Sequence, residues 1–254
     1  MASFHEKTST IVLLLFVLFP TVAVGQEEEM TQNQFVITPR IWLASYGAPQ
    51  DEGRLLEGIS LPMFGATLSY TSKARPNVSY MATILRGSGN GRVLDPFDGL
   101  GRQDITRTDT ELLARYALSE PKVYVLAGLR YVSFETRAAW GAYREFSTVK
   151  VMGGELGFGF TQDITQGSPH QVFGNIVGLL ATTDYKYKDT LGGNDNSTFF
   201  APGVDLNVGY QYRITPSVHF SARYRAFIYQ FGGQDTFTDT ALFHGLELGL
   251  SIAM

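Results

Sequence analysis

Apolar and polar residues alternate along most of the chain after residue 25. In segment 203–212, every even position is apolar or aromatic, whereas every odd position is polar or glycine. Segments 218–226 and 245–254 repeat the pattern with the same phase. Successive side chains of a β-strand point to opposite faces. The pattern therefore predicts strands that have one apolar face and one polar face.

Ten segments of this kind are predicted strands, although Pro39 and Pro62 interrupt the first two. A strand that crosses a membrane needs about 9–11 residues, whereas strands of globular proteins usually have about five or six. The predicted segments are long enough for the first case. They are 35–46, 59–71, 77–87, 103–118, 122–136, 148–162, 170–187, 200–213, 217–231 and 239–254.

The predicted connections alternate between two kinds. Segments 72–76, 119–121, 163–169 and 214–216 are short, and each contains a proline. Segments 47–58, 88–102, 137–147, 188–199 and 232–238 are mostly longer and rich in Gly, Asp and Asn. Short periplasmic turns and long extracellular loops are typical of outer-membrane barrels. A soluble β-protein would leave this alternation unexplained.

A closed barrel follows from the two-faced strands. Hydrocarbon offers no hydrogen-bond partner to an open sheet edge, so each unpaired backbone group there costs several kcal/mol. The fold class predicted for residues 35–254 is therefore all-β, a closed antiparallel transmembrane β-barrel. Ten strands fit best, and eight or twelve are the alternatives.

The N-terminal residues predict export. Lys7 precedes the apolar run Ile11–Phe19, which Pro20 ends, and Ala23-Val24-Gly25 has the small-x-small pattern of a cleavage site. The run is too short to span a bilayer, which takes about 20 helical residues. We expect a signal peptide at 1–25 and a short periplasmic tail at 26–34; the alternative is a membrane anchor or a buried helix. The predicted location is the outer membrane of a Gram-negative bacterium.

Aromatic residues near the predicted strand ends suggest two interfacial girdles. The periplasmic girdle would hold Tyr70, Tyr80, Tyr116, Tyr124, Phe160, Tyr210 and Tyr212, and the outer girdle Tyr131, Phe134, Tyr185, Tyr187, Tyr229 and Phe231.

The polar faces of the strands place charges inside the barrel. An Arg or Lys facing lipid at the midplane would cost about 2–4 kcal/mol, so the inward direction is favoured. Two interpretations stay open: paired charges fill the lumen, or they line a narrow aqueous path and set its ion preference. Inward glycines, such as Gly153 and Gly209, would leave room for the aqueous path. The predicted lumen charges are Arg40, Asp109, Glu111, Arg115, Arg130, Glu155, Asp205, Arg223, Arg225 and Glu247, joined by the polar Asn207.

The chain ends in Glu247-Leu-Gly249-Leu-Ser-Ile252-Ala-Met254. This segment resembles the signal that the barrel-assembly machinery reads, although Met254 replaces the usual final aromatic residue. With its signal segment and strand pattern, the whole chain resembles small Gram-negative outer-membrane β-barrel proteins of the broad porin-like and adhesin-like class. The resemblance implies outer-membrane lipids and the assembly machinery as partners.

The remaining composition narrows the chemistry. There is no cysteine, and 20 basic residues against 24 acidic ones argue against nucleic-acid binding. Neither G-x-S-x-G nor H-E-x-x-H occurs. An outer-membrane hydrolase would have to use His244 with Asp235 or Asp239, which is a weaker interpretation than a rim histidine. We expect no enzyme activity, no cofactor and no metal.

The functional expectation is a porin-like barrel that gives ions or small solutes a narrow passage through a charged lumen. The alternative is a closed-lumen structural or surface-interaction barrel, adhesin-like in that it acts through its extracellular loops. The sequence names neither the solute nor a loop partner.

Overall fold

The computed structural model describes residues 33–47, 55–56, 59–95, 99–118, 123–232 and 238–254. The expected signal peptide at 1–25 and nearly all of the expected tail at 26–34 lie outside these residues. Within the described residues, no helix has the length and apolarity to cross a membrane.

The described chain folds into ten long strands, and a two-residue strand, Leu55–Leu56, pairs with the third of them. The long strands are β1 (Gln34–Gly47), β2 (Ile59–Ser72), β3 (Arg75–Asp95), β4 (Gly99–Ala117), β5 (Val123–Trp140), β6 (Tyr143–Asp163), β7 (His170–Asp189), β8 (Asn194–Thr215), β9 (Val218–Gly232) and β10 (Thr238–Ala253).

Each strand pairs antiparallel with the next one along the chain, and β10 pairs with β1. The closing register sets Arg40 opposite Gly249 and Leu43 opposite Leu246. Both backbone edges of the long strands are therefore hydrogen-bonded around the circle. The predicted fold class, a closed ten-stranded antiparallel barrel, is confirmed.

The two ends of the barrel differ. One end, which we call the turn end, holds the connections after β2, β4, β6 and β8 together with the first and last described residues, Asn33 and Met254. The opposite end, which we call the loop end, holds the connections after β1, β3, β5, β7 and β9.

The strands extend further at the loop end than the sequence pattern predicts. The β3–β4 ladder continues to the pair Asp95 and Gly99, and the β5–β6 ladder continues to Trp140 and Tyr143. The predictions of long connections at 88–102 and 137–147 are therefore wrong. Backbone groups pair across aligned strands whatever the side chains are, so a composition rich in Gly, Asp and Asn does not end a ladder that is already in register.

Large apolar side chains cover the outside of the barrel at mid-height. Among the most exposed are Leu68, Ile84, Leu129, Met152, Leu156, Leu180 and Val208. We call this ring of outward side chains the apolar belt. An exposed apolar surface of this extent marks contact with another apolar phase, and on a closed barrel that phase is hydrocarbon.

Candidate functional site

The lumen is built from the inward-facing residue of every second position on each strand. At mid-height these residues are charged, and toward the loop end they are apolar. The eight charged residues that form ion pairs at mid-height are called the charge network here: Arg40, Glu111, Arg130, Glu155, Asp205, Arg223, Arg225 and Glu247.

Arg130 on β5 is one centre of the charge network. Its Nε lies 2.5 Å from Oε1 of Glu155, and its Nη1 lies 2.7 Å from Oδ2 of Asp205. Its Nη2 donates to Glu111, the residue directly opposite on β4. On the other side Arg130 faces Gly153 of β6, which has no side chain to fill the same space. One guanidinium thus joins carboxylates from three other strands.

Glu247 on β10 is the second centre. Its Oε1 lies 2.6 Å from Nη1 of Arg40 and 2.7 Å from Nη2 of Arg223, and its Oε2 lies 3.6 Å from Nη1 of Arg225. Arg225 also donates from Nη2 to Oδ2 of Asp205 at 2.6 Å, which links this centre to Arg130. Charges inside a low-dielectric interior are tolerated when they are paired in this way.

The structure thus brings eight of the ten sequence-predicted lumen charges into one network. The other two lie elsewhere in the lumen. Asp109 pairs with Arg107, and the guanidinium of Arg115 lies 3.9 Å from the ring centroid of Tyr124. Asn207 donates to the side chain of Asn175. The role of the lumen charges as a constriction stays a prediction.

Sequence reasoning missed Arg107, which is fully buried on β4. Its guanidinium lies 3.8 Å from the ring centroid of Phe243, and the rings of Trp42 and Phe227 lie at 5.3 and 5.2 Å. The signal was available, because Arg107 has the same strand phase as Asp109 and Glu111.

The lumen on the loop side of the charge network is filled by a cluster of buried apolar side chains, called the apolar plug here. Trp42, Phe227, Tyr229 and Phe243 have no exposed surface. The rings of Tyr46 and Phe243 stack with centroids 4.8 Å apart. The members of the plug are Trp42, Ala44, Tyr46, Ile59, Leu61, Met63, Leu85, Ile105, Val132, Phe134, Val149, Val151, Leu179, Ala181, Phe227, Tyr229, Ala241 and Phe243.

The plug also corrects the prediction of an outer aromatic girdle. Phe134 and Tyr229 are buried inside the barrel, and Tyr185 packs against the same cluster, whereas Tyr131 does face outward. At the turn end, Tyr124 is buried inside instead of facing the interface. The side chain of Phe231 lies outside the described residues. The errors arise because stretches of several strands, at the loop end and around Tyr124, are apolar on both faces, so phase alone does not show which face is lipid-exposed.

On the turn side of the network the lumen is polar and less filled. Hydroxyl pairs join neighbouring strands there, Thr67 with Thr83 at 2.8 Å and Thr71 with Ser79 at 2.7 Å. A cavity of about 130 Å³ lies beneath the network. Its charged and amide lining includes Arg40, Glu111, Arg115, Asn175, Asp205, Asn207, Arg223 and Arg225.

A small polar cluster lies at the loop end, beyond the apolar belt. The hydroxyls of Tyr143 and Tyr187 are 2.9 Å apart, and each lies within 3.3 Å of Glu145 and Asp189. The backbone N–H groups of Gly193 and Leu191 donate to Asp189 and hold the pKa of its carboxyl below the ordinary value. Burial, together with the hydrogen bond to Tyr143, raises the pKa of Tyr187.

Three histidines lie among the described residues, and each contacts a Tyr or Gln side chain. His170 contacts the hydroxyl of Tyr210, and His219 lies 2.6 Å from the side-chain amide of Gln211, both at the turn end. His244 faces outward, with Nδ1 2.6 Å from the hydroxyl of Tyr224. Asp235 and the side chain of Asp239 lie outside the described residues. In the part of the chain that the structure describes, no three His, Cys, Asp or Glu side chains are placed to hold a metal ion.

The segment that resembles an assembly signal forms the closing strand. Glu247 points inward into the charge network, and Gly249 lies inward where an added Cβ would meet Ser221 and Thr38. Ile252 and Met254 are exposed on the outer surface, 39 and 64 % respectively. Recognition of this segment by the assembly machinery stays a prediction.

The closed antiparallel barrel, its outward apolar belt and its two unequal ends define the fold class of outer-membrane β-barrels. The outer membrane protease OmpT from Escherichia coli is similar with a TM-score of 0.61 and 10% sequence identity, covering 91% of this chain and 99% of that chain. The translocator domain of the autotransporter NalP from Neisseria meningitidis is similar with a TM-score of 0.52 and 10% identity, covering 97% of each chain. At this identity the likeness concerns the fold.

No protein-family model matches the sequence. None of the curated proteins matches it significantly.

Proposed function

We propose that this protein is a closed-lumen barrel of the Gram-negative outer membrane that works through its exposed surface and does not pass solutes through its lumen. In this proposal the turn end faces the periplasm. The loop end, where hairpins continue beyond the apolar belt to pairs such as Trp140 and Tyr143, faces outward, as the longer extracellular segments of such barrels do. The observation that carries the proposal is the apolar plug, in which Trp42, Phe227 and Phe243 are fully buried.

A solute would have to cross the plug after passing the charge network. An ion in an apolar segment loses its hydration without gaining a partner, which costs far more than a hydrogen bond contributes. Moving one large aromatic side chain out of a packed interior costs about 3–5 kcal/mol, judged from Phe or Trp to Ala substitutions. The charges below the plug bind one another, whereas charges that set ion selectivity line an open path.

The second candidate is the porin-like narrow passage. It is favoured by the side chains of Arg40 and Arg223, which are 18 and 16% exposed and line the cavity of about 130 Å³. In this case the cavity would be the inner part of a path, and the plug would have to move for conduction.

An outer-membrane hydrolase is the weakest of the three candidates. The similar fold of OmpT belongs to a protease, but at 10% identity this gives no reason to transfer the activity. Among the described residues, the side chains of His170, His219 and His244 contact Tyr or Gln and no carboxylate.

Single-channel conductance of the refolded protein in a planar bilayer tests the proposal, with heat-shifted gel migration as the folding control. We expect no conductance steps from the wild-type barrel. The double variant Phe227→Ala with Phe243→Ala should show steps, because it removes two rings from the plug. Phe158→Ala is the matched control, since Phe158 is 56% exposed on the outer surface. Discrete steps from folded wild-type protein that scale with salt concentration would favour the porin-like passage instead.

A further inference from the structure

Basic side chains are concentrated on one side of the barrel exterior, on the loop side of the apolar belt. The outward positions of β3–β7 there carry eight exposed Lys and Arg residues against three acidic ones, Asp104, Glu135 and Asp184. The described outward side chains on the loop-side halves of β1, β2, β8, β9 and β10 include no Lys, Arg, Asp or Glu. The eight basic residues are Arg86, Arg92, Arg102, Arg137, Arg144, Lys150, Lys186 and Lys188.

Five of the eight surround Phe146 on β6 and are called the basic cluster here: Arg137, Arg144, Lys150, Lys186 and Lys188. In the strand register Phe146 lies opposite Arg137 of β5 and opposite Lys188 of β7. The guanidinium of Arg137 lies 5.6 Å from the Phe146 ring centroid, and Phe146 is 38% exposed. Adjacent strands lie about 4.8 Å apart, so the Cα atoms of Arg137 and Lys188, on either side of β6, are about 10 Å apart, a distance that their long side chains can span toward a shared anion.

The basic cluster has no ion-pair partner among the described residues. Asp184 lies opposite Lys150 in the register, but its Oδ1 accepts a hydrogen bond from Thr198 at 2.9 Å. By contrast, Arg102 pairs with Asp104 at 2.9 Å. In the register Arg144 lies diagonally across from Arg137 and from Lys188, within reach of both long side chains, and an anion between them would offset the repulsion of these like charges. The cluster is therefore a surface that favours an anionic partner.

The height of the cluster identifies which anion it meets. Lys150 occupies the outward position next to Met152, which is 66% exposed in the apolar belt. Two residues of a strand span about 7 Å, so Lys150 lies just beyond the hydrocarbon, at the level of lipid headgroups. Phe146, one alternation further, offers an apolar contact at the same level.

We propose that the basic cluster binds the phosphate groups of a phosphorylated glycolipid in the outer leaflet. This inference rests on the proposed outer-membrane location and orientation. Lys and Arg are the side chains that bind phosphate, Arg with its planar fork and Lys as a point charge. Clusters of such residues at a membrane surface attract anionic headgroups. The uncharged opposite side of the barrel would face the same leaflet without this preference.

Binding of bis-phosphorylated lipid A to the folded barrel in detergent micelles tests the inference, measured as occupancy by native mass spectrometry over a lipid titration. The test variant replaces Arg137, Lys150 and Lys188 with Gln. Its affinity should fall by on the order of 100-fold, because each of the three charges contributes roughly fivefold near a membrane surface. The wild-type barrel should also bind dephosphorylated lipid A far more weakly.

The matched control replaces Lys73, Arg75 and Arg213, three exposed basic residues at the turn end, with Gln. It changes the net charge by the same amount and should keep wild-type affinity. An equal loss in both triple variants, or no difference between phosphorylated and dephosphorylated lipid, would overturn the inference. Insertion into phosphatidylcholine vesicles separates the two proposals. A barrel that inserts but ignores phosphate contradicts only the lipid site, whereas one that does not insert contradicts the proposed location as well.

Discussion

Arg107 binds both carboxylate oxygens of Asp109, two residues further along β4, with Nε to Oδ1 at 2.6 Å and Nη2 to Oδ2 at 2.7 Å. The side chains of the pair are 0 and 5% exposed. The guanidinium of Arg107 also packs against aromatic rings of the apolar plug, and the ring of Phe243 is the nearest of them. A complete ion pair is thus enclosed within the apolar part of the lumen.

Breaking this pair should destabilise the barrel strongly. Asp109→Leu leaves the charge of Arg107 buried without a partner, and we expect the free energy of unfolding to fall by about 3–5 kcal/mol. Replacing both residues, Arg107→Met with Asp109→Leu, should be less destabilising because no buried charge remains. Equilibrium unfolding in guanidinium chloride, in detergent micelles, measures both. A double variant less stable than Asp109→Leu would contradict this account.

The two centres of the charge network should differ in sensitivity. Arg130→Gln removes the only ion-pair partner that the described residues give Glu111 and Glu155, whereas Arg223→Gln leaves Glu247 with Arg40 and Arg225. We expect Arg130→Gln to cost about 3 kcal/mol or more and Arg223→Gln clearly less. The same unfolding titration compares them, and an equal cost would show that the shared contacts of Glu247 do not compensate.

Gly65, on the lumen face of β2, and Gly178, on the outer face of β7, give a packing test. An added Cβ at Gly65 would meet the carbonyl oxygen of Ile84 well inside van der Waals distance. At Gly178 an added Cβ would lie 3.7 Å from the carbonyl oxygen of Leu156, which is ordinary contact. Gly65→Ala should therefore lower the free energy of unfolding by about 1–3 kcal/mol, and Gly178→Ala by less. The idea fails if both variants unfold at the same denaturant concentration.

The carboxyl group of Asp189, in the polar cluster at the loop end, should titrate at a lower pH than a free Asp side chain. The folded pKa of Asp189 is lowered by the N–H groups of Gly193 and Leu191. A lowered carboxyl pKa means that its contribution to stability is present above the unfolded pKa and is lost as pH falls through the folded pKa. NMR shifts of the Leu191 and Gly193 amides should therefore titrate with a midpoint below about 3.9, the value for free Asp. In Asp189→Asn this titration should vanish. A midpoint at or above 3.9 in the wild type would contradict the hydrogen-bond account.

Much of the fold was predictable because a strand that crosses a membrane as part of a barrel alternates apolar residues facing lipid with polar residues facing the lumen. Where the inner side is polar, as at Asp205 and Asn207, alternation shows both the strand and its inward face. The ten predicted strands match β1–β10 for this reason. The loop-side ends were predicted too short because hydrogen-bonded hairpins such as β3–β4 continue through residues whose composition is typical of loops.

The inward direction of Arg130 and Glu155 followed from strand phase, but their partners did not. Arg40 and Glu247 are 207 residues apart in the chain, and only closure of the barrel between β1 and β10 brings them together. Phase assigns a side chain to a face, whereas the register between strands decides which side chains share a height.

The sequence by itself determined the transmembrane-type strands and the charged middle of the lumen, because both depend on local alternation and on the cost of exposing charge to lipid. It favoured ten strands over eight or twelve, and the pairing of β10 with β1 decided the number. Tertiary structure alone decided that the loop-side lumen is filled by Trp42, Phe227, Phe243 and their neighbours. In those stretches both faces of a strand are apolar, as in Phe227–Tyr229. A strand buried on both faces reads as a continuous apolar run, so only the closed barrel distinguishes the face that meets lipid from the face that closes the lumen.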